Sequence, residues 1–175
     1  MNADEVAREK LWSMIKRYRF AMMTTQEGQA LRSRPMTTIE REYDGTLWFF
    51  ARADSTAVAA VASRPQVCLS YGDSGRLDFV AVAGPATVVT DVVRKRELWT
   101  PAVQAWFPEG ADSPRNVLIK VAPDHAEYWD STSNRLVQLF SRAKAIATGT
   151  TPQDIGEHRN VAMPGKDAVN TGLRC

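Results

Sequence analysis

Arg32 and Arg34 stand two residues apart in the run Arg32-Ser33-Arg34-Pro35-Met36-Thr37. Successive side chains of a β-strand point to opposite faces, so this spacing aims both guanidinium groups the same way. Paired guanidiniums suit bidentate contact with a phosphate, and the hydroxyls of Ser33, Thr37 or Thr38 can add hydrogen bonds. The same residues also describe a solvated edge strand, and spacing does not choose between the two. Further on, Trp48-Phe49-Phe50 offers aromatic area and strand backbone for one wall around a planar cofactor. Buried in a core, the same three residues would serve packing alone, and so would Trp99, Trp106 and Trp129.

Other chemistries find little support. His125 and His158 are the two histidines of the chain, and neither is spaced from Cys, Asp or Glu as a zinc ligand would be. No Ser or Cys lies in a hydrolase-type motif, and neither a P-loop nor a Gly-x-Gly-x-x-Gly run occurs. No metal site is expected, and no side chain stands out as a catalytic acid or base. The net charge is +2, with Lys and Arg spread along the chain, so nucleic acid is not an expected partner. No segment approaches ~18 consecutive apolar residues, and Met1 to Lys10 lacks the apolar stretch of a secretory signal. A cytoplasmic protein without membrane contact is expected.

The elements that must position these residues follow from periodicity and punctuation. With 175 residues, 44% hydrophobic and 24% charged, the composition is that of one ordinary domain. Asn2 with Glu5 forms a capping-box pattern, and Ala7, Leu11, Met14, Ile15 and Tyr18 recur at helical spacing. From Phe20, three strands are expected as successive hairpins: Phe20 to Thr25, Gln29 to Ile39, and Thr46 to Ala51. Asp54 or Ser55 caps a short helix that ends before Pro65. Val67 to Tyr71 and Phe79 to Val89 read as strands, the second bent or bulged at Gly84-Pro85. Asp91 begins a helix through Trp99, and Thr100-Pro101 caps another. Val117 to Val121, Ala126 to Trp129 and Leu136 to Ala147 close the strand set. A domain over 1–149 with an extended tail over 150–175 is expected. Short strands with few helices favour a barrel or sandwich over a doubly wound sheet.

The order of the motifs adds what spacing lacks. Arg19-Phe-Ala-Met-Met-Thr-Thr, Ser33-Arg-Pro-Met, Asp44-Gly-Thr-Leu-Trp-Phe-Phe and Arg64-Pro-Gln-Val-Cys-Leu-Ser-Tyr come first. Val82-Ala-Gly-Pro-Ala, Leu98-Trp-Thr-Pro, Trp106-Phe-Pro-Glu-Gly and Ala126-Glu-Tyr-Trp-Asp-Ser follow. From Leu11 to about Gly149 this succession resembles the general stress protein 26-like branch of the pyridoxamine 5′-phosphate oxidase-related flavoproteins. The resemblance implies a mainly β, α+β fold: a six-stranded split β-barrel with flanking helices, homodimeric, with FMN at the subunit interface. It implies cofactor contacts from Arg32, Ser33, Arg34, Pro35, Met36 and Thr37, from Phe49, Phe50 and Ala51 through their backbone, and from Ser55. Trp106 would cover the flavin from the partner subunit.

Flavin reductase or oxidoreductase activity, with a reduced nicotinamide as electron donor, is the activity so implied. A flavin-binding protein that stores or senses its cofactor without turnover is the alternative, and the same barrel can be asked whether it takes a deazaflavin or haem. The lack of a suitable axial histidine speaks against haem. One departure concerns Asp54-Ser55-Thr56-Ala57, where the family pattern has lysine at the last position. A lost charge-assisted hydrogen bond is worth on the order of 1.5–3 kcal/mol, or roughly ten- to a hundredfold in affinity. Arg52 and Arg64 are the nearby cations that could substitute, and Ala57→Lys is expected to tighten FMN binding.

Overall fold

The computed structural model describes residues 3–39, 44–130, 157–161 and 163. Helix α1 (Ala3–Tyr18) is followed by β1 (Phe20–Glu27), β2 (Ala30–Thr37), β3 (Leu47–Arg52), α2 (Thr56–Ser63), β4 (Gln66–Asp73) and β5 (Asp78–Val89). Two short helices, α3 (Val92–Glu97) and α4 (Pro101–Trp106), precede β6 (Asn116–Val121), β7 (His125–Asp130) and β8 (Glu157–Val161). Helix α1 turns Ala7, Leu11, Met14 and Ile15 into the core, one stripe at helical spacing. Arg19 stops it by taking φ of 58°, and its N–H still reaches the Ile15 carbonyl at 3.0 Å. Asn2, half of the expected capping box, lies outside the described residues.

All strand pairs are antiparallel, and the main path of the sheet runs β2-β1-β4-β5-β6-β3. The expected six-stranded path is present, and β7 and β8 extend it from β5. Gly28, with φ of 64°, supplies the positive torsion that the two-residue turn between β1 and β2 requires. Strand β3 departs from expectation. It does not continue the hairpin series but pairs with β6, Phe49 opposite Ile119, at the far end of the path. Nearness in sequence yields here to a pairing that buries both of its faces.

The bend expected at Gly84-Pro85 has a clear cause. Residues 79–83 of β5 pair with β7 and residues 86–89 pair with β6, so the strand changes neighbour at this dipeptide. Ala122 closes onto the corner by donating to the Pro85 carbonyl at 2.9 Å, and Asp124 donates to the Ala83 carbonyl at 3.0 Å. A Cβ on Gly84 would lie 2.2 Å from the Ala122 carbonyl oxygen, so only glycine lets the two chains approach this closely. Strand β5 thereby belongs to both halves of a sheet curled into a half-barrel, the split-barrel architecture, with helices at its flanks.

Two cores result. The larger lies inside the curl, built from α1, α2 and inward residues such as Met23, Phe49, Leu69, Val82 and Ile119. The smaller lies on the other side of β3 and β6, where Trp48, Phe50 and Leu118 meet Val103, Trp99 and Phe107. Helix α3 ends at Glu97 with Leu98 as its cap, two residues short of the expected Trp99. Residues 157–161, expected within an extended tail, form β8 along β7 with Val161 buried. The expected strand Leu136 to Ala147 lies outside the described residues.

Candidate functional site

Strands β2 and β3 are the two ends of the main path, so each presents one backbone edge that no other described strand of the path covers. They carry the two motifs singled out by chemistry. Their ends meet where the Ile39 N–H donates to the Trp48 carbonyl at 3.2 Å. Just before this joint, the Thr38 N–H donates to the Arg19 carbonyl at 2.8 Å, and the Thr38 hydroxyl lies 2.8 Å from that of Tyr71.

Alternation divides the β2 motif between two faces. Arg32, Arg34 and Met36 stand opposite Thr25, Met23 and Ala21, the inward residues of β1. Ser33, Pro35 and Thr37 stand opposite Thr24, Met22 and Phe20 on the outer face, and the Ser33 hydroxyl is spent on that of Thr24 at 2.7 Å. The two arginines do share a face, as their spacing predicts, and they converge on a residue that spacing did not single out. Arg34 donates through Nη1 to the buried Thr25 hydroxyl at 3.0 Å and through Nη2 to Glu27 Oε1. Arg32 Nε lies 3.8 Å from Glu27 Oε2. The readable signal was the turn itself: a two-residue loop at Gly28-Gln29 sets Glu27 opposite Ala30, diagonal to Arg32.

In β3, side chains and backbone take different roles. Phe49 is wholly buried in the larger core, while Trp48 and Phe50 fill the smaller one. Phe50 meets Trp99 edge-on at 5.0 Å and Phe107 at 5.7 Å, and Arg94 lies over the Trp48 ring at 4.7 Å. None of the three rings is free to stack on a ligand. What β3 offers through Phe49, Phe50 and Ala51 is its backbone edge.

Beyond β3, the Ser55 side chain caps α2 by accepting from the Val58 N–H at 3.3 Å. Ala57 is 3% exposed and packs in the larger core. The position at which the resemblance expects a lysine therefore faces inward. Arg64 caps the opposite end of α2, nine residues or about 14 Å along the helix from Ser55, and is the farther of the two nearby cations. Arg52 is better placed: it contacts Glu109 at 2.6 Å, with Arg115 at 3.9 Å from the same carboxylate. The Arg52 hydrogen bond, with a smaller contribution from a backbone donor, holds the Glu109 carboxyl below its ordinary range. A shallow pocket of about 210 Å³ opens beside this cluster, lined by Ala53, Asp54, Pro114 and Arg115. Glu109 stands 57 residues from Arg52, a separation with no local sequence signal. Trp106, at the end of α4, is 77% exposed and adjoins the Phe107 that anchors to Phe50.

The histidines come together across β7 and β8. His125 and His158 lie 3.0 and 3.6 Å from the two oxygens of Glu127, and His158 stacks on Trp129 at 4.9 Å. Among the described residues no group of three or more His, Cys, Asp or Glu is arranged to hold a metal ion.

The family model described as pyridoxamine 5′-phosphate oxidase like matches residues 6–153, from α1 through β7 and beyond. The chain belongs to the pyridoxamine 5′-phosphate oxidase-like family. Protein bli-3 of Neurospora crassa is 28% identical over 163 residues, which cover 87% of this chain and 78% of that protein. The solved general stress FMN/FAD binding protein of Xanthomonas citri is 29% identical, with a TM-score of 0.67 over 75% of this chain and 94% of its own. A protein assigned as general stress protein 26 from Jannaschia sp. CCS1 is 26% identical, with a TM-score of 0.70 over 90% of this chain and 99% of its own. General stress protein 26 of Bacillus anthracis, at 24% identity and a TM-score of 0.63, shares the fold over 70% of this chain and 92% of its own. Among pyridoxamine 5′-phosphate oxidase-like proteins, then, this chain is similar to those named for general stress.

Proposed function

We propose that this protein is an FMN-binding oxidoreductase of flavin-reductase type, cytoplasmic, working as a homodimer with its cofactor where β2 and β3 approach and the second copy completes the site. One observation carries the reading: the phosphate-type motif and the aromatic motif occupy the two end strands of one curled sheet, with backbone edges available for a planar ring. The name of the Xanthomonas citri relative, an FMN/FAD binding protein, supports the choice of ligand class. The residues fit such a group in part. Arg32 and Arg34 share a face suited to a phosphate, the β3 edge at Phe49 to Ala51 suits ring heteroatoms, and Trp106 is free to cover a ring on a second subunit. Ser55 serves the fold of the site by capping α2.

When bound, the flavin would supply the electron transfer, with a reduced nicotinamide as donor. The protein's own work is then to hold the ring edge, ground the phosphate and exclude water, tasks that need no side-chain acid or base. A purified preparation titrated with FMN should show a perturbed flavin absorption band that bleaches on adding reduced nicotinamide under anaerobic conditions. Protein that neither perturbs the FMN spectrum nor gains thermal stability from FMN would refute the reading.

A second reading, a flavin-storing or flavin-sensing stress protein without turnover, is favoured by the engagement of both motif arginines with Glu27. Protein that binds FMN yet stays oxidised with every nicotinamide tested would decide for it.

A further inference from the structure

Each arginine pair near the site is held by one carboxylate: Arg32 and Arg34 by Glu27, Arg52 and Arg115 by Glu109. The first pair matters more, because its residues belong to the motif that would receive a cofactor phosphate. Two guanidiniums and one carboxylate leave a local charge of one positive unit where the motif alone would give two. An arriving phosphate meets an Arg34 fork already shared between the Glu27 carboxylate at Nη2 and the buried Thr25 hydroxyl at Nη1, which keeps that guanidinium turned toward Glu27. Part of what the arginines would gain from a phosphate is already spent inside the hairpin.

We propose that Glu27 is a specificity-determining residue that suppresses the preference of this site for phosphorylated flavin, so that FMN and riboflavin bind with similar affinity. The inference rests on the flavin reading of the site and deepens it. Glu27 acts as an internal anion: it competes with the phosphate for the same donors and repels it. The isoalloxazine end, held by the β3 edge, is untouched by this competition. Ala57, buried where a lysine is expected, adds no cation to offset it.

The test is a fluorescence titration of FMN and of riboflavin into the full-length wild type, Glu27→Gln and Glu109→Gln. Glutamine keeps an acceptor for Arg34 and removes the charge, and a thermal melt confirms that each variant is folded. The expected result is an FMN-over-riboflavin preference at least about tenfold larger in Glu27→Gln than in the wild type, with riboflavin affinity as the internal reference. An unchanged preference in Glu27→Gln, or a gain that appears in Glu109→Gln instead, overturns the proposal. If neither flavin binds any of the proteins, the flavin reading fails. The Glu27 proposal is then decided by inorganic pyrophosphate, whose thermal stabilisation of Glu27→Gln should exceed that of the wild type and vanish in Glu27→Gln/Arg34→Ala. Equal stabilisation of wild type and Glu27→Gln overturns it.

Discussion

Ala57 shows how one position changes meaning once its surroundings are known. As a departure from a family pattern it marks a missing phosphate contact, and a lysine placed there should tighten FMN. In the fold it is 3% exposed and packs with Ala51, Val61 and Val67 in the larger core. A lysine at this site must bury an ammonium or displace α2. Ala57→Lys is therefore expected to lose about 3 kcal/mol or more of stability in a urea titration and to gain no FMN affinity. Tighter FMN binding at undiminished stability would show that the side chain escapes to the phosphate. The arginine face of β2 was legible because period-two alternation is a local rule. Glu27 was legible only through the exact register of a turn, and Glu109 not at all, since Arg52 finds it across the fold.

At the scale of elements, local signals succeeded and partners failed. The caps at Asp91 and Thr100 read directly from sequence, and that of α2 to within Asp54 or Ser55, because a cap is satisfied within three residues. The pairing of β3 with β6 did not, because it depends on which strand can cover both an inner Phe49 and an outer Phe50. Gly84-Pro85 announced a bend, and Ala122 explains it. Gly84→Ala should cost about 3 kcal/mol in chemical denaturation, since the clash is with backbone that is itself hydrogen-bonded across the corner. A loss under about 0.5 kcal/mol would mean the corner relaxes freely. A second tie joins α1 to the start of β5, where the Tyr18 hydroxyl donates to Asp78 at 3.0 Å and Arg76 lies 3.3 Å from the same carboxylate. Burial first, then the bond to Asp78 and its charge, raise the Tyr18 phenol above its ordinary 10.0. A group whose folded pKa is raised contributes fully below its unfolded pKa and loses that contribution as the pH climbs through the folded one. The tie is intact at neutral pH and weakens above about pH 10. Melting temperature followed from roughly pH 9 to 11 should fall less steeply in Tyr18→Phe than in the wild type, and parallel curves would assign the loss to other groups.

For the whole molecule, the decisive feature is the outer face of the curled sheet. Phe20 (63% exposed), Leu31 (67%), Met22, Phe79 and Trp129 all point outward from it, and the strand registers set them on one continuous surface with Ser33, Pro35 and Thr37. Scattered exposed hydrophobics are ordinary, but a joined apolar face beside a candidate binding motif marks an association surface. A second copy, as proposed above, would also answer the exposure of Trp106, which on that reading covers a ring on the neighbouring subunit. A stable dimer of standard size buries about 800 Å² per partner. Replacing Phe20 and Met22 together by Asp places two carboxylates on that face without touching a buried side chain. The variant should keep the wild-type melting profile at low concentration yet elute as a 19.4 kDa monomer by light scattering, against a dimer of twice that mass for the wild type. On the proposed shared site, FMN affinity should fall in parallel, because half of that site would depart with the partner. A monomeric wild type at working concentration would remove the shared site, and a dimeric variant would move the interface to another face.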